Sequence, residues 1–177
     1  MLTENHPPEK KEKVEMYYAL AKEIRGTFME QTIWIAHFMS DMIANYFCDD
    51  KKKRELLFSE VITGDDFRFS TRIALLFDIL EKSHPDVLLR TKGLKDRLDK
   101  IRRFRNRLAH SHLKATDAEI EKAQERFVTF CFYEDGMMKE QVVTKEDLRD
   151  RLVETSKVLD ELLQLRTALI PDYDKRA

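Results

Sequence analysis

Turn-forming residues are scarce: the chain holds four glycines and four prolines in 177 residues. A sandwich or barrel needs a turn roughly every 8–12 residues, so a many-stranded β fold is excluded. Cysteine is scarcer still. Cys48 and Cys131 stand apart in apolar and aromatic surroundings, without the paired spacing of a zinc or redox motif, and are expected as buried, reduced thiols. Long hydrophobic runs are missing too; a stretch such as Thr32 to Met39 falls well short of the roughly 18 apolar residues of a membrane span. Neither sign of charge dominates, because 32 Lys and Arg face 33 Asp and Glu. Any attraction for phosphate must therefore come from a local patch. The first residues, Met1 to Lys13, are polar and charged and do not read as a secretory signal. A soluble, cytoplasmic protein without a membrane partner is the expectation.

Apolar residues make up 42% and charged residues 37% of the chain, enough for a core beneath a heavily charged surface. The expected fold class is mainly α: an up-and-down helical bundle carrying one small two-stranded β-hairpin near Phe127 to Val143. The length suits one domain, so a leader over 1–8, a single helical domain over 9–170 and a tail over 171–177 are expected. Val14, Tyr17, Ala21, Ile24 and Phe28 recur at helical spacing from a start near Glu9, and Trp34, Phe38, Met42 and Tyr46 carry the stripe on to about Cys48. Leu56, Leu57 and Val61 are expected to face inward from a short helix that stops near Gly64. Ser70 is a candidate cap for the next helix, with Phe69 as its apolar staple, and His84-Pro85 ends it. A helix over about Leu94 to His112 follows. Thr116 and Glu119 have capping-box spacing for a short helix to about Arg126. Asp135-Gly136 is a two-residue turn signal between two β-rich runs, and Thr144 with Asp147 caps a last helix that ends before Pro171.

One segment is unlike the rest. Lys95 to Arg107 holds seven basic residues and two acids, a local excess of five positive charges on an almost neutral chain. Arg97, Arg102, Arg103 and Arg107 are candidate nucleic-acid-binding residues on this helix. The bland alternative is a solvated face whose arginines pair with nearby acids. Arg105 falls between Ile101 and Leu108 on the apolar stripe, where its charge must be paired, face an opening or snorkel to the helix edge. Asp41, on the face of Trp34 and Phe38, is a candidate structural partner for it. Asn106 and His110 lie four apart on a different face.

The run Arg105-Asn106-Arg107-Leu108-Ala109-His110, following Ile101-Arg102-Arg103-Phe104, resembles the R-N-x-x-A-H signature of the HEPN superfamily. Upstream, Phe69-Ser70-Thr71-Arg72-Ile73-Ala74-Leu75-Leu76 resembles the segment that precedes the signature in HEPN-like bacterial proteins, including relatives of the mannitol operon repressor. From Phe69 to His110 the two motifs span about a quarter of the chain. The resemblance implies a helical HEPN-like fold and one of two activities. The first is a metal-independent endoribonuclease, or an RNA-binding effector of a defence or toxin type, with Arg105, Asn106 and His110 as catalytic residues and no cofactor. In it His110 moves the proton, Arg105 stabilises charge on the phosphorane and Asn106 orients the phosphate or the histidine. The second is a non-catalytic transcriptional regulator that acts by binding protein or nucleic acid.

The spacing adds a separate inference. Arg105 and His110, five residues apart, point about 140° away from each other on a continuous helix. Either the helix ends before His110, or two chains meet about a twofold axis and share the site. HEPN nucleases resemble the second case, and a homodimer is expected. His112 falls on the apolar stripe and is expected to pack, and Ser111 to end the helix. His110 and His112 are too closely spaced to align as metal ligands on a helix, and no metal site is expected. Phe130, Phe132, Met137 and Met138 on the hairpin suggest a surface for a protein partner if exposed, and core if not.

Overall fold

The computed structural model describes residues 8–64, 67–121 and 126–170. The chain is mainly helical. Among the described residues the helices are α1 (Pro8–Phe47), α2 (Lys51–Leu56), α3 (Phe69–Ser83), α4 (Pro85–Arg90), α5 (Leu94–His110), α6 (Asp117–Glu121) and α7 (Lys145–Leu169). Strands β1 (His112–Leu113), β2 (Phe127–Glu134) and β3 (Met137–Thr144) form one antiparallel sheet in the order β1-β2-β3. The sheet thus has three strands where two were expected. His112 and Leu113 are too few to show any alternation, and they become a strand only by pairing with Cys131 and Phe130. The leader and tail, save for Pro8 at the start of α1, lie outside the described residues, as do 122–125 in the segment expected to extend α6. Among the described residues no helix is long and apolar enough to cross a membrane.

The described residues form two compact units. In the first, residues up to Glu30 join Phe104–Val153. The expected stripe of α1 is buried here through Tyr17, Ala21, Ile24 and Phe28, and the Phe28 ring meets Phe104 edge-on at 4.7 Å. Tyr17 ties the helix to the sheet: its hydroxyl donates to the Lys114 carbonyl at 2.8 Å and accepts the Thr129 N–H at 3.1 Å. Burial pushes its pKa up. Val128 to Phe132 are all buried, as befits a central strand, so Phe130 and Phe132 belong to the core. Asp135 and Gly136 both take positive φ, 54° and 75°, the conformation that a two-residue hairpin turn requires. The turn fixes the register from Glu134↔Met137 to Phe127↔Thr144. At the start of α7, Asp147 accepts the Thr144 N–H at 3.0 Å, and the Thr144 hydroxyl oxygen accepts the Asp147 N–H at 2.9 Å. That is the expected reciprocal cap.

The second unit joins Gln31–Arg103 to the residues from Glu154 onward. Ile35, Met39, Met42 and Ile43 are buried here, whereas Ile33 and Trp34 are 65% and 53% exposed and Tyr46 is also exposed. Of the expected stripe Met42 is buried and Phe38 half-buried, whereas Trp34 and Tyr46 lie to the outer side of a face centred on Ile35 and Met39. The helix beyond α2 continues as a π-helical turn over Leu57–Ile62, in which Thr63 N–H reaches back five residues to the Phe58 carbonyl at 2.9 Å. The wider turn buries Ile62 and leaves Leu56 and Val61 exposed, contrary to expectation. Arg72 closes it by donating to the Ile62 carbonyl at 2.6 Å. α3 begins at Phe69 with Arg68 as its N-cap residue and no side-chain cap, so Ser70 and Phe69 do not act as cap and staple. Pro85 opens α4 at its first turn as well as ending α3.

Candidate functional site

The basic face of α5 is largely neutralised where it lies. Arg97 pairs with Glu161 through both terminal nitrogens, the Nη1 bond being 2.6 Å. Arg102 and Arg103 share Asp99, at 2.6 and 2.5 Å. Burial raises the Asp99 pKa, but the hydrogen bonds from Arg103 and Arg102 outweigh it and hold the carboxyl below its ordinary value. In the other unit Arg107 donates to Glu134 at 2.9 Å and lies over the Phe132 ring at 5.2 Å. Glu134 also takes Lys139 at 2.7 Å, and the Lys139 and Arg107 hydrogen bonds lower its pKa. Each arginine expected to meet phosphate thus has a carboxylate of its own chain.

Arg105 differs. It is half-buried, and its one hydrogen bond among the described residues runs from Nη1 to the Asn106 side-chain oxygen at 3.2 Å. Asp41, expected to pair with it, instead accepts from Arg166 Nε at 2.8 Å and from the Asn45 amide at 3.0 Å. Asn45 stands one turn along α1 from Asp41, so that helix supplies the amide itself. Asn106 is half-buried, and His110, the last residue of α5, is exposed and makes no hydrogen bond or ion pair among the described residues. The helix is unbroken from Arg105 to His110, so the two side chains diverge as their spacing requires.

The end of α5 is held by a residue outside every motif of the sequence. Arg25 Nη2 donates to the Ser111 carbonyl at 2.7 Å and to its hydroxyl oxygen at 3.0 Å, while that hydroxyl donates to the Leu108 carbonyl at 3.1 Å. The Arg25 guanidinium lies over the Phe130 ring at 4.9 Å, and burial pushes its pKa down. No carboxylate pairs with it among the described residues. Its position directly after Ile24 and four residues after Ala21, beside the buried stripe of α1, was the available signal. Ser111 ends the helix as expected. His112 is exposed on β1, not packed on the stripe, because the chain has left the helix before reaching it.

Chemically, the end of α5 offers an arginine without a carboxylate, an amide that orients it, and an imidazole open to solvent. The arginine can take an anion, and the imidazole, on another side of the helix, is open to a ligand from solvent. Among the described residues no cluster of three or more His, Cys, Asp or Glu is placed to hold a metal. No family model matches the chain, and neither a curated protein nor a solved structure is significantly similar to it.

Proposed function

We propose that the chain is a HEPN-like domain whose α5 terminus, Arg105, Asn106 and His110, cleaves RNA without a metal. The observation that carries the reading is selective. Among the motif's charged groups, Arg105 has no carboxylate and His110 has no bonded neighbour, while the arginines around them are paired. Arg105 thus keeps a charge that no carboxylate among the described residues neutralises, which an anionic ligand can use.

In the proposed reaction the RNA 2′-oxygen attacks the adjacent phosphorus and its proton passes to a His110 imidazole. The bond from phosphorus to the 5′-oxygen breaks, that oxygen takes a proton from water, and the imidazolium returns its proton to the solvent. The products are a 2′,3′-cyclic phosphate and a 5′-hydroxyl. Arg105 neutralises the non-bridging oxygens and Asn106 fixes the guanidinium by their 3.2 Å hydrogen bond. Because Arg105 and His110 diverge on one helix, a site that uses both takes them from two copies about a twofold axis. RNA incubated in EDTA with the wild-type chain should yield cyclic-phosphate ends, and His110→Ala should abolish them while leaving the melting temperature within a degree or two. Cleavage that persists in His110→Ala, or is absent from the wild type, overturns the reading.

A second reading has its own support. Arg97, Arg102, Arg103 and Arg107 are engaged by Glu161, Asp99 and Glu134, which leaves fewer free charges to follow an RNA backbone. A regulator that acts by binding a protein, without chemistry, would need no such track.

A further inference from the structure

β3 is an edge strand of eight residues, a long edge by ordinary standards, and it carries no proline or bulge to block a further strand. The hairpin turn determines which of its backbone groups are free. In a two-residue hairpin the closing pair, here Glu134↔Met137, exchanges hydrogen bonds, and bonded and non-bonded pairs then alternate. Lys139 and Gln141 therefore bond to β2, whereas Met138, Glu140 and Val142 aim their N–H and C=O groups away from it. The far side of β2 agrees: Thr129, opposite Val142, gives its carbonyl to the Lys114 N–H at 2.9 Å.

The edge mixes exposed apolar side chains with Lys139 and Glu140, each already paired with a charge of its own chain. Tyr133, Met138 and Val142 share one face of the sheet and are 70%, 57% and 55% exposed. We propose that the edge pairs with β3 of a second copy, antiparallel, with a twofold axis through Glu140, giving a continuous six-stranded sheet. A twofold normal to the sheet keeps each face on its own side, so residue i meets residue j only where i and j have the same parity. Centring on Glu140 sets Met138 against the second copy's Val142 and Lys139 against its Gln141. Centring on Gln141 would set Glu140 against Val142, and centring on Lys139 would set lysine on lysine. Two Glu140 side chains then meet at the axis, but each brings its own counter-ion: Lys114 pairs with Glu140 at 2.8 Å, across the sheet on the same face. The axial row of four charges is neutral.

This contact is distinct from the one proposed at α5. The register places His112 opposite Cys131 and Cys131 opposite Glu140, so the two β1 strands lie five strand spacings apart, about 24 Å. Edge pairing alone does not bring the two α5 ends into one cleft.

Oxidative cross-linking of the full chain tests the register without reference to RNA. In a Cys131→Ser background, which removes the native thiol directly opposite residue 140, Glu140→Cys should form a covalent dimer about tenfold faster than Lys139→Cys, because Cα atoms of a bonded pair lie about 5.5 Å apart and those of the offset pair about 8–9 Å. The double variant Lys139→Cys with Gln141→Cys, which keeps the Lys114–Glu140 pair, should cross-link as readily as Glu140→Cys. Val142→Pro, which removes an N–H that β2 does not use, should suppress both. Equal rates at 139 and 140, or rates unchanged by Val142→Pro, overturn the proposal, whatever the RNA assay returns.

Discussion

Arg25 and Arg105 illustrate how two arginines of one unit carry different loads. Arg25 closes the end of α5 through Ser111 and lies on Phe130, so Arg25→Ala removes the donor to the Ser111 carbonyl and its ring contact together. The expected cost in chemical denaturation is about 1–3 kcal/mol. Arg105 bonds only to its neighbour Asn106 among the described residues, and Arg105→Ala should change stability by less than about 0.5 kcal/mol. The reverse order would mean that Arg105 is a structural brace. The sequence located the motif but not these roles. Arg105 was legible as an arginine on an apolar stripe, whereas the bond from Arg25 to Ser111 spans 86 residues and no local pattern encodes it. Likewise facing direction alone points Asp41 at Arg105, and direction does not reveal Arg166 or Asn45.

At the scale of elements, the starts of helices were easier to read than their inner faces. Thr144 and Asp147 form their reciprocal cap because both partners lie within one turn, where spacing fixes contact. The backbone and side-chain hydrogen bonds from Thr144 hold the Asp147 carboxyl below its ordinary pKa. The folded-state value being depressed, the stabilisation is fully present above the unfolded pKa of about 3.9 and is lost as pH falls through the folded value. Asp147→Ala should thus cost about 1 kcal/mol at neutral pH and much less near pH 2–3, as thermal melts at the two pH values would register. Faces were harder to read. Period 3.6 lets the face of a long apolar helix be read off-centre, and in α1 the richer aromatic set, Trp34 and Tyr46, proved exposed while Ile35 and Met39 were buried. β1 and the π-helical turn were illegible for another reason: both are created by tertiary pairing or by one extra residue per turn, neither of which leaves a periodic mark in so short a segment.

For the whole molecule, the divergence of Arg105 and His110 along an unbroken α5 makes the second copy part of the proposed chemistry, and mixing variants reads that out directly. Arg105→Ala and His110→Ala chains should each be inactive alone. Mixed in equal amounts and allowed to exchange, half of the dimers pair one chain of each kind, and each of these holds one site with both native residues. RNA cleavage should then recover to about a quarter of the wild-type rate, as expected for a twofold assembly with two shared sites. Mixtures that stay as inactive as the separate variants, while the wild type cleaves, would contradict a site built from two chains.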